Sequence, residues 1–112
     1  MASAEKRQNP RVPLNTDVGY SLNGRVWSDG QSININYDGI LVRIKEEIRP
    51  NQSVHLVFEL PNLPREDPIE AKGEVTRVAV RRGQQVGLAF RLSHLRTRHA
   101  QAIQDFVDKL AP

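Results

Sequence analysis

The chain is 112 residues long, enough for one domain with its own core, and 38% of it is apolar. It has no cysteine, which excludes disulfides, thiolate metal sites and cysteine nucleophiles, and its apolar runs are too short for a membrane-spanning helix. Its net charge of +3 is unevenly spread: residues 1–13 carry +2, 14–71 carry −4, 72–98 carry +6 and 99–112 carry −1. Basic segments around an acidic middle suit a compact anion better than a long nucleic acid, which calls for a larger basic excess or a recognisable reading module. Residues 1–11 lack the apolar stretch of a signal peptide, so the expected location is cytoplasmic.

Residues 1–12 have no apolar periodicity and read as a flexible arm, with residues 13–112 as the domain. Asp17 to Leu22 reads as the first strand. Asn23–Gly24 reads as a tight hairpin turn, since both residues tolerate positive φ, and Arg25 to Trp27 as the start of the return strand. Ser28–Asp29–Gly30 is a second turn signal, with Gln31 to Ile35 extended after it. Beyond Gly39, the residues Ile40, Val42 and Ile44 share one strand face. Asn51–Gln52 reads as a turn. Val54, Leu56, Phe58 and Leu60 alternate with His55, Val57 and Glu59. Pro61, Pro64 and Pro68 make residues 61–68 a loop.

Ile69, Ala71, Gly73 and Val75 share the face of a long strand. Val78 and Val80 resume the pattern three residues later, which predicts a β-bulge near Thr76–Arg77. Arg82–Gly83 is a turn, and Val86, Leu88, Phe90 and Leu92 then alternate. The period finally changes. Leu95, His99, Ile103, Phe106 and Leu110 recur at spacings of three and four, widened by Ala102 and Val107, and predict a helix over about 94–110. Ser93 is its expected N-cap, and Lys109 suits its last turn. The stripe is expected to pack on the rest of the chain, with a dimer contact as the alternative. About six short antiparallel strands and one helix suggest an all-β class and a small closed or partly closed barrel.

No catalytic constellation is visible. His55, His94 and His99 lack metal-ligand spacing, and no nucleophile elbow or phosphate-binding loop occurs, so neither an enzyme nor a metal protein is expected. Two segments suit ligand binding. Arg7 and Arg11 lie in the arm; arginine can chelate the O6/N7 edge of guanine or grip a phosphate. Asn34 and Asn36 are two apart and, in a strand, point the same way, each able to donate and accept. Gly39, just beyond, permits close approach of a ligand.

These residues resemble the PilZ domain family. Arg7 and Arg11 match its RxxxR motif. Asn34 and Gly39 match the outer positions of its [D/N]xSxxG motif, with Asn36 standing where the family has serine. Gly73-Glu74-Val75, Val86-Gly87-Leu88-Ala89-Phe90 and the terminal helix extend the likeness from residue 6 to about 110. The resemblance implies a six-stranded antiparallel split β-barrel with a C-terminal α-helix. It implies cyclic di-GMP as ligand, with Arg7, Arg11, Asn34, Asn36 and Gly39 as binding residues and Lys6, Arg77 and Arg81 as auxiliary contacts. It also implies that the arm closes over the second messenger and that a separate protein partner receives the signal. No DNA or RNA partner, cofactor or membrane insertion is expected, and the chain is expected to be a monomer or weak homodimer. Two alternatives stand beside this reading. Asn36 motivates a degenerate PilZ interaction module without nucleotide. The basic segment 72–98 motivates a small barrel binding single-stranded nucleic acid.

Overall fold

The alternating apolar positions build seven strands in a computed structural model that describes residues 9–111. They are β1 (Val12–Pro13), β2 (Asp17–Ser21), β3 (Ser28–Ile35), β4 (Gly39–Ile44), β5 (Ser53–Phe58), β6 (Ile69–Arg82) and β7 (Gln85–Ser93). One helix, α1 (Thr97–Leu110), follows. The strands pair in the order β3-β2-β5-β6-β7-β4, and β4 pairs back onto β3, closing a ring of six. Every pairing is antiparallel. The two residues of β1 pair with the end of β3, along the edge that β2 occupies further back. The expected all-β barrel with a C-terminal helix is therefore the observed architecture, and closure leaves no long free strand edge.

Alternation sets inside from outside. Val18, Ile40, Val42, Ile44, Leu56, Ile69, Val75, Leu88 and Phe90 are each 2% exposed or less and point into the barrel. Burying each such side chain contributes about 1.5–3 kcal/mol. The ladder slips between Val75 and Arg77, where the sequence pattern requires a bulge, and again between Val78 and Val80. A third irregularity separates Ser32 from Asn34 in β3. Each adds bend and twist, which helps so small a sheet to close.

Two turn expectations are corrected. Arg25 to Trp27 is not strand; residues 22–27 form the connection between β2 and β3. The Asn23 side chain organises that loop by accepting from the backbone N–H groups of Arg25 (2.8 Å) and Val26 (3.0 Å). Ser28–Asp29–Gly30 is not a turn but the first part of β3. Gly30 is needed there for space, since a Cβ would stand 2.7 Å from Ile44 and 2.8 Å from the Arg43 carbonyl. Packing across the barrel, rather than turn geometry, explains that glycine.

The helix covers the barrel end where β3, β5 and β7 finish. Ala102, Ile103, Phe106 and Val107 join the barrel core, so the stripe packs within the chain. Its start is also corrected. Ser93 ends β7, His94 adopts positive φ (57°), and Arg96 is the N-cap without a side-chain capping bond. Leu110 leaves the predicted stripe and is 49% exposed. A tether replaces the missing cap. Arg98 donates twice to Asp67 (3.0 and 2.7 Å), and Nε2 of the buried His99 lies 2.9 Å from the same carboxylate. The Asn62 side chain donates to the Ala102 carbonyl at 3.1 Å. The proline-rich loop is thus fastened to the helix by its polar residues.

Candidate ligand-binding site

Pairing of β1 with β3 places Val12 opposite Ile35 and Pro13 opposite Asn34. Val12 is 1% exposed and anchors the segment, so the preceding residue, Arg11, is delivered to the end of β3. Its Nη1 donates to Asn34 Oδ1 at 2.9 Å. Two motifs 23 residues apart meet directly. Arg11 is exposed, and a guanidinium has five N–H donors, so most of its donor set remains for a ligand. Arg7 and Lys6 lie outside the described residues.

The other two residues of the second motif shape the turn after β3. Asn36 is 7% exposed; its Oδ1 accepts from the Asp38 N–H at 3.2 Å, and its own N–H donates to the Gly39 carbonyl at 2.9 Å. This is an Asx-type turn, a geometry that serine also supports through its hydroxyl. A Cβ on Gly39 would stand 2.9 Å from the Phe90 carbonyl and 3.2 Å from Asn36 Oδ1. Gly39 therefore lets β4 lie close against β7 while the Asn36 turn stays closed.

From Asn34 the outer face continues across the sheet. Asn34 stands opposite Leu41, Leu41 opposite Ala89, and Ala89 opposite Arg77. Gly87 and Ala89 on β7 give this face a low floor between β4 and β6. One step along, Ile33, Arg43, Arg82, Gln85 and Gly87 line a cavity of about 190 Å³. Arg43 and Arg82 form no ion pair among the described residues. Arg77 thus joins the Asn34 row, but Arg81 does not. Arg81 lies opposite Val86 at the far rim and donates to Glu47 at 2.7 Å. That bond lowers the Glu47 carboxyl and raises the Arg81 guanidinium from their ordinary values.

Arg43 and Arg82 are candidate site residues that the sequence reading did not name. The signal for Arg43 was present, since it falls out of phase with Ile40, Val42 and Ile44 and so points outward. Its neighbourhood required the strand order. The charge pattern also changes meaning. Of the seven basic residues in 72–98, Arg81, Arg91 and Arg98 are paired with Glu47, Glu74 and Asp67. The single-stranded nucleic acid alternative loses much of its basis there. Among the described residues no group of three or more His, Asp or Glu converges as a metal site.

The strands thus form a small closed antiparallel β-barrel that brings an arm arginine and a strand asparagine together beside a shallow face carrying Arg43, Arg77 and Arg82. The chain belongs to the PilZ domain family, whose pattern its residues 5–109 match. No curated protein matches its sequence. Among solved structures it is similar to the inhibitor of motility MotI/DgrA of Bacillus subtilis, with 21% identity and a TM-score of 0.78 over 97% of this chain and 56% of that one. MrkH, described as a c-di-GMP-dependent transcription regulatory factor, matches with 13% identity and a TM-score of 0.71 over 93% of this chain and 50% of that one. The chain thus spans about half the length of these two. The PilZ domain of YcgR from Escherichia coli, solved with c-di-GMP, matches with 10% identity and a TM-score of 0.65 over 95% of this chain and 92% of that one. At these identities the likeness is one of fold.

Proposed function

We propose that the chain is a cyclic di-GMP receptor that signals to a separate protein. The observation that carries this reading is the 2.9 Å bond from Arg11 to Asn34, which joins the two family motifs in one place. Membership of the PilZ family and the nucleotide named for two of the similar structures support it.

Asn34 holds the Arg11 guanidinium on the barrel before ligand arrives, which lowers the entropy lost on binding. The remaining Arg11 donors suit a guanine O6/N7 edge or a phosphate. The low Gly87–Ala89 floor admits a flat base, and Arg43, Arg77 and Arg82 place positive charge beside the two phosphates. Arg7 and Lys6 would add contacts as the arm closes over the nucleotide. Asn36 and Gly39 keep the β3–β4 turn in the shape that presents Asn34. Closure of the arm changes the surface offered to a partner, and no chemistry on the nucleotide is involved.

Isothermal titration calorimetry with cyclic di-GMP tests this. Saturable binding in the micromolar range or tighter is expected, with a binding free energy of about −8 kcal/mol or more favourable. Arg11→Ala removes a charge-assisted bond and should weaken binding by about tenfold to a hundredfold. Arg43→Ala and Arg82→Ala should each weaken it less. No heat from the folded wild-type chain, together with unchanged NMR spectra, would leave a PilZ-shaped interaction module without nucleotide.

A further inference from the structure

One side chain joins the ligand motif to the helix. Tyr37 lies in the turn between Asn36 and Gly39, and its phenol donates a hydrogen bond to the Asp108 carboxylate, 71 residues further on. That bond pushes the Tyr37 phenol up from its ordinary value. The half-buried Tyr37 ring packs against the core cluster that includes Ile103, Phe106 and Val107 of α1. The turn that carries it is held on both flanks. On one, Asn34 accepts from Arg11 at 2.9 Å; on the other, the Asp38 carbonyl accepts from the Leu92 N–H at 2.8 Å.

The far end of α1 depends on this contact. Its first half is fastened by Arg98 and His99 to Asp67 and by Asn62 to the Ala102 carbonyl. Beyond Ala102, the bond from Tyr37 is the only side-chain hydrogen bond among the described residues that joins the helix to the barrel. The last carbonyls of a helix have no intrahelical partners, so its end frays unless something holds it. Here Ala111 is extended rather than left-handed, and its N–H closes back onto the Val107 carbonyl at 2.8 Å. Gln104, Asp105, Asp108, Lys109 and Leu110 are exposed. Phe106 and Leu110 also wall a groove of about 410 Å³ with Pro13 and Leu14, so the root of the arm and the end of the helix face each other.

We infer that Tyr37 transmits nucleotide occupancy to the last two turns of α1, so that the exposed face of that end is what a partner reads. The inference names the output of the receptor proposed above and rests on that reading. Nucleotide held by Arg11 beside Asn34 restricts the β3–β4 turn, and with it the position of the Tyr37 phenol. A phenol already in place loses less entropy on bonding Asp108, so the frayed population of residues 104–110 falls. The coupling is reciprocal: an ordered helix end favours the turn that presents Asn34. The Leu92–Asp38 bond also links turn and helix, but through β7 it enters α1 at the end that Asp67 already fixes. Tyr37 reaches the other end directly.

The test is hydrogen–deuterium exchange of the full chain, read by mass spectrometry with and without saturating cyclic di-GMP. In wild type, nucleotide should slow exchange of residues 104–110 by about fivefold or more, the lower end of typical coupling factors. Tyr37→Phe keeps the ring and loses the bond. By calorimetry it should still bind nucleotide within about fivefold of wild type. Exchange over residues 33–41 should still slow on binding, but residues 104–110 should no longer respond. Asp108→Ala should behave in the same way. Asp67→Asn, which loosens the opposite end of the helix, should keep the response, and this separates transmission from a general loss of helix stability. Circular dichroism establishes that the variants fold. Three results would overturn the inference while leaving the receptor reading intact: binding by wild type without change at 104–110, a response that survives Tyr37→Phe, or one lost equally in Asp67→Asn. Absence of binding by calorimetry would remove the receptor reading, and the inference with it.

Discussion

Asn36 shows how a departure from a family pattern can be structurally conservative. Its side chain accepts a backbone N–H two residues on, a bond that the serine of the family motif can also make. Gly39 tolerates less, because the Phe90 carbonyl is backbone and cannot rotate away. Gly39→Ala should therefore destabilise the fold by about 1–3 kcal/mol, the usual cost of overpacking. Urea denaturation would read this as a lower midpoint at unchanged slope. A stability equal to wild type would mean that β4 and β7 can part without loss. At this scale the sequence was legible in part. The motif residues could be named from their spacing, but the division of labour between Asn34, which holds Arg11, and Asn36, which holds its own turn, required coordinates.

Among the elements, α1 depends on a tether outside its own sequence. The Arg98 guanidinium, and secondarily His99, hold the Asp67 carboxyl well below the usual carboxylate range. A depressed carboxylate stabilises the fold above its unfolded value, near about 4, and that contribution is lost as pH falls through the lower folded value. Asp67→Asn should lower the thermal midpoint most at neutral pH. The gap from wild type should narrow as pH falls below about 4. A gap constant from pH 7 to pH 3 would remove the carboxylate from this role. The sequence showed the helix through its period and the long β6 bulge through a three-residue step. It missed the helix start because the tether comes from residue 67, some thirty positions earlier. It missed the length of the β2–β3 loop because the bonds to Asn23 outweigh the local preference for a two-residue turn.

For the molecule as a whole, the closed ring decides which charges become neighbours. Asp17 and Asp29 share one pocket with Arg43 and Lys45, while the neighbouring pocket that holds Arg43 and Arg82 has no acidic lining residue among the described residues. A ligand that binds only the folded chain must stabilise it by mass action. Cyclic di-GMP at about 100 times its dissociation constant should raise the unfolding free energy by about 2.7 kcal/mol. Urea melts with and without nucleotide would measure this. At the same nucleotide concentration Arg11→Ala should show a much smaller gain, and an equal gain would place the ligand elsewhere.

By itself the sequence determined the strand alternation, the proline-rich break, the terminal helix and the two family motifs, since each is a pattern of neighbours at period two, at period 3.6 or at fixed short spacing. Only the tertiary structure decided which arginines are paired with carboxylates, that Arg11 meets Asn34, and why Gly30 sits in a strand. Those outcomes depend on which strands adjoin in the ring. Strand order is set by packing among residues far apart in the chain, and no local spacing records it.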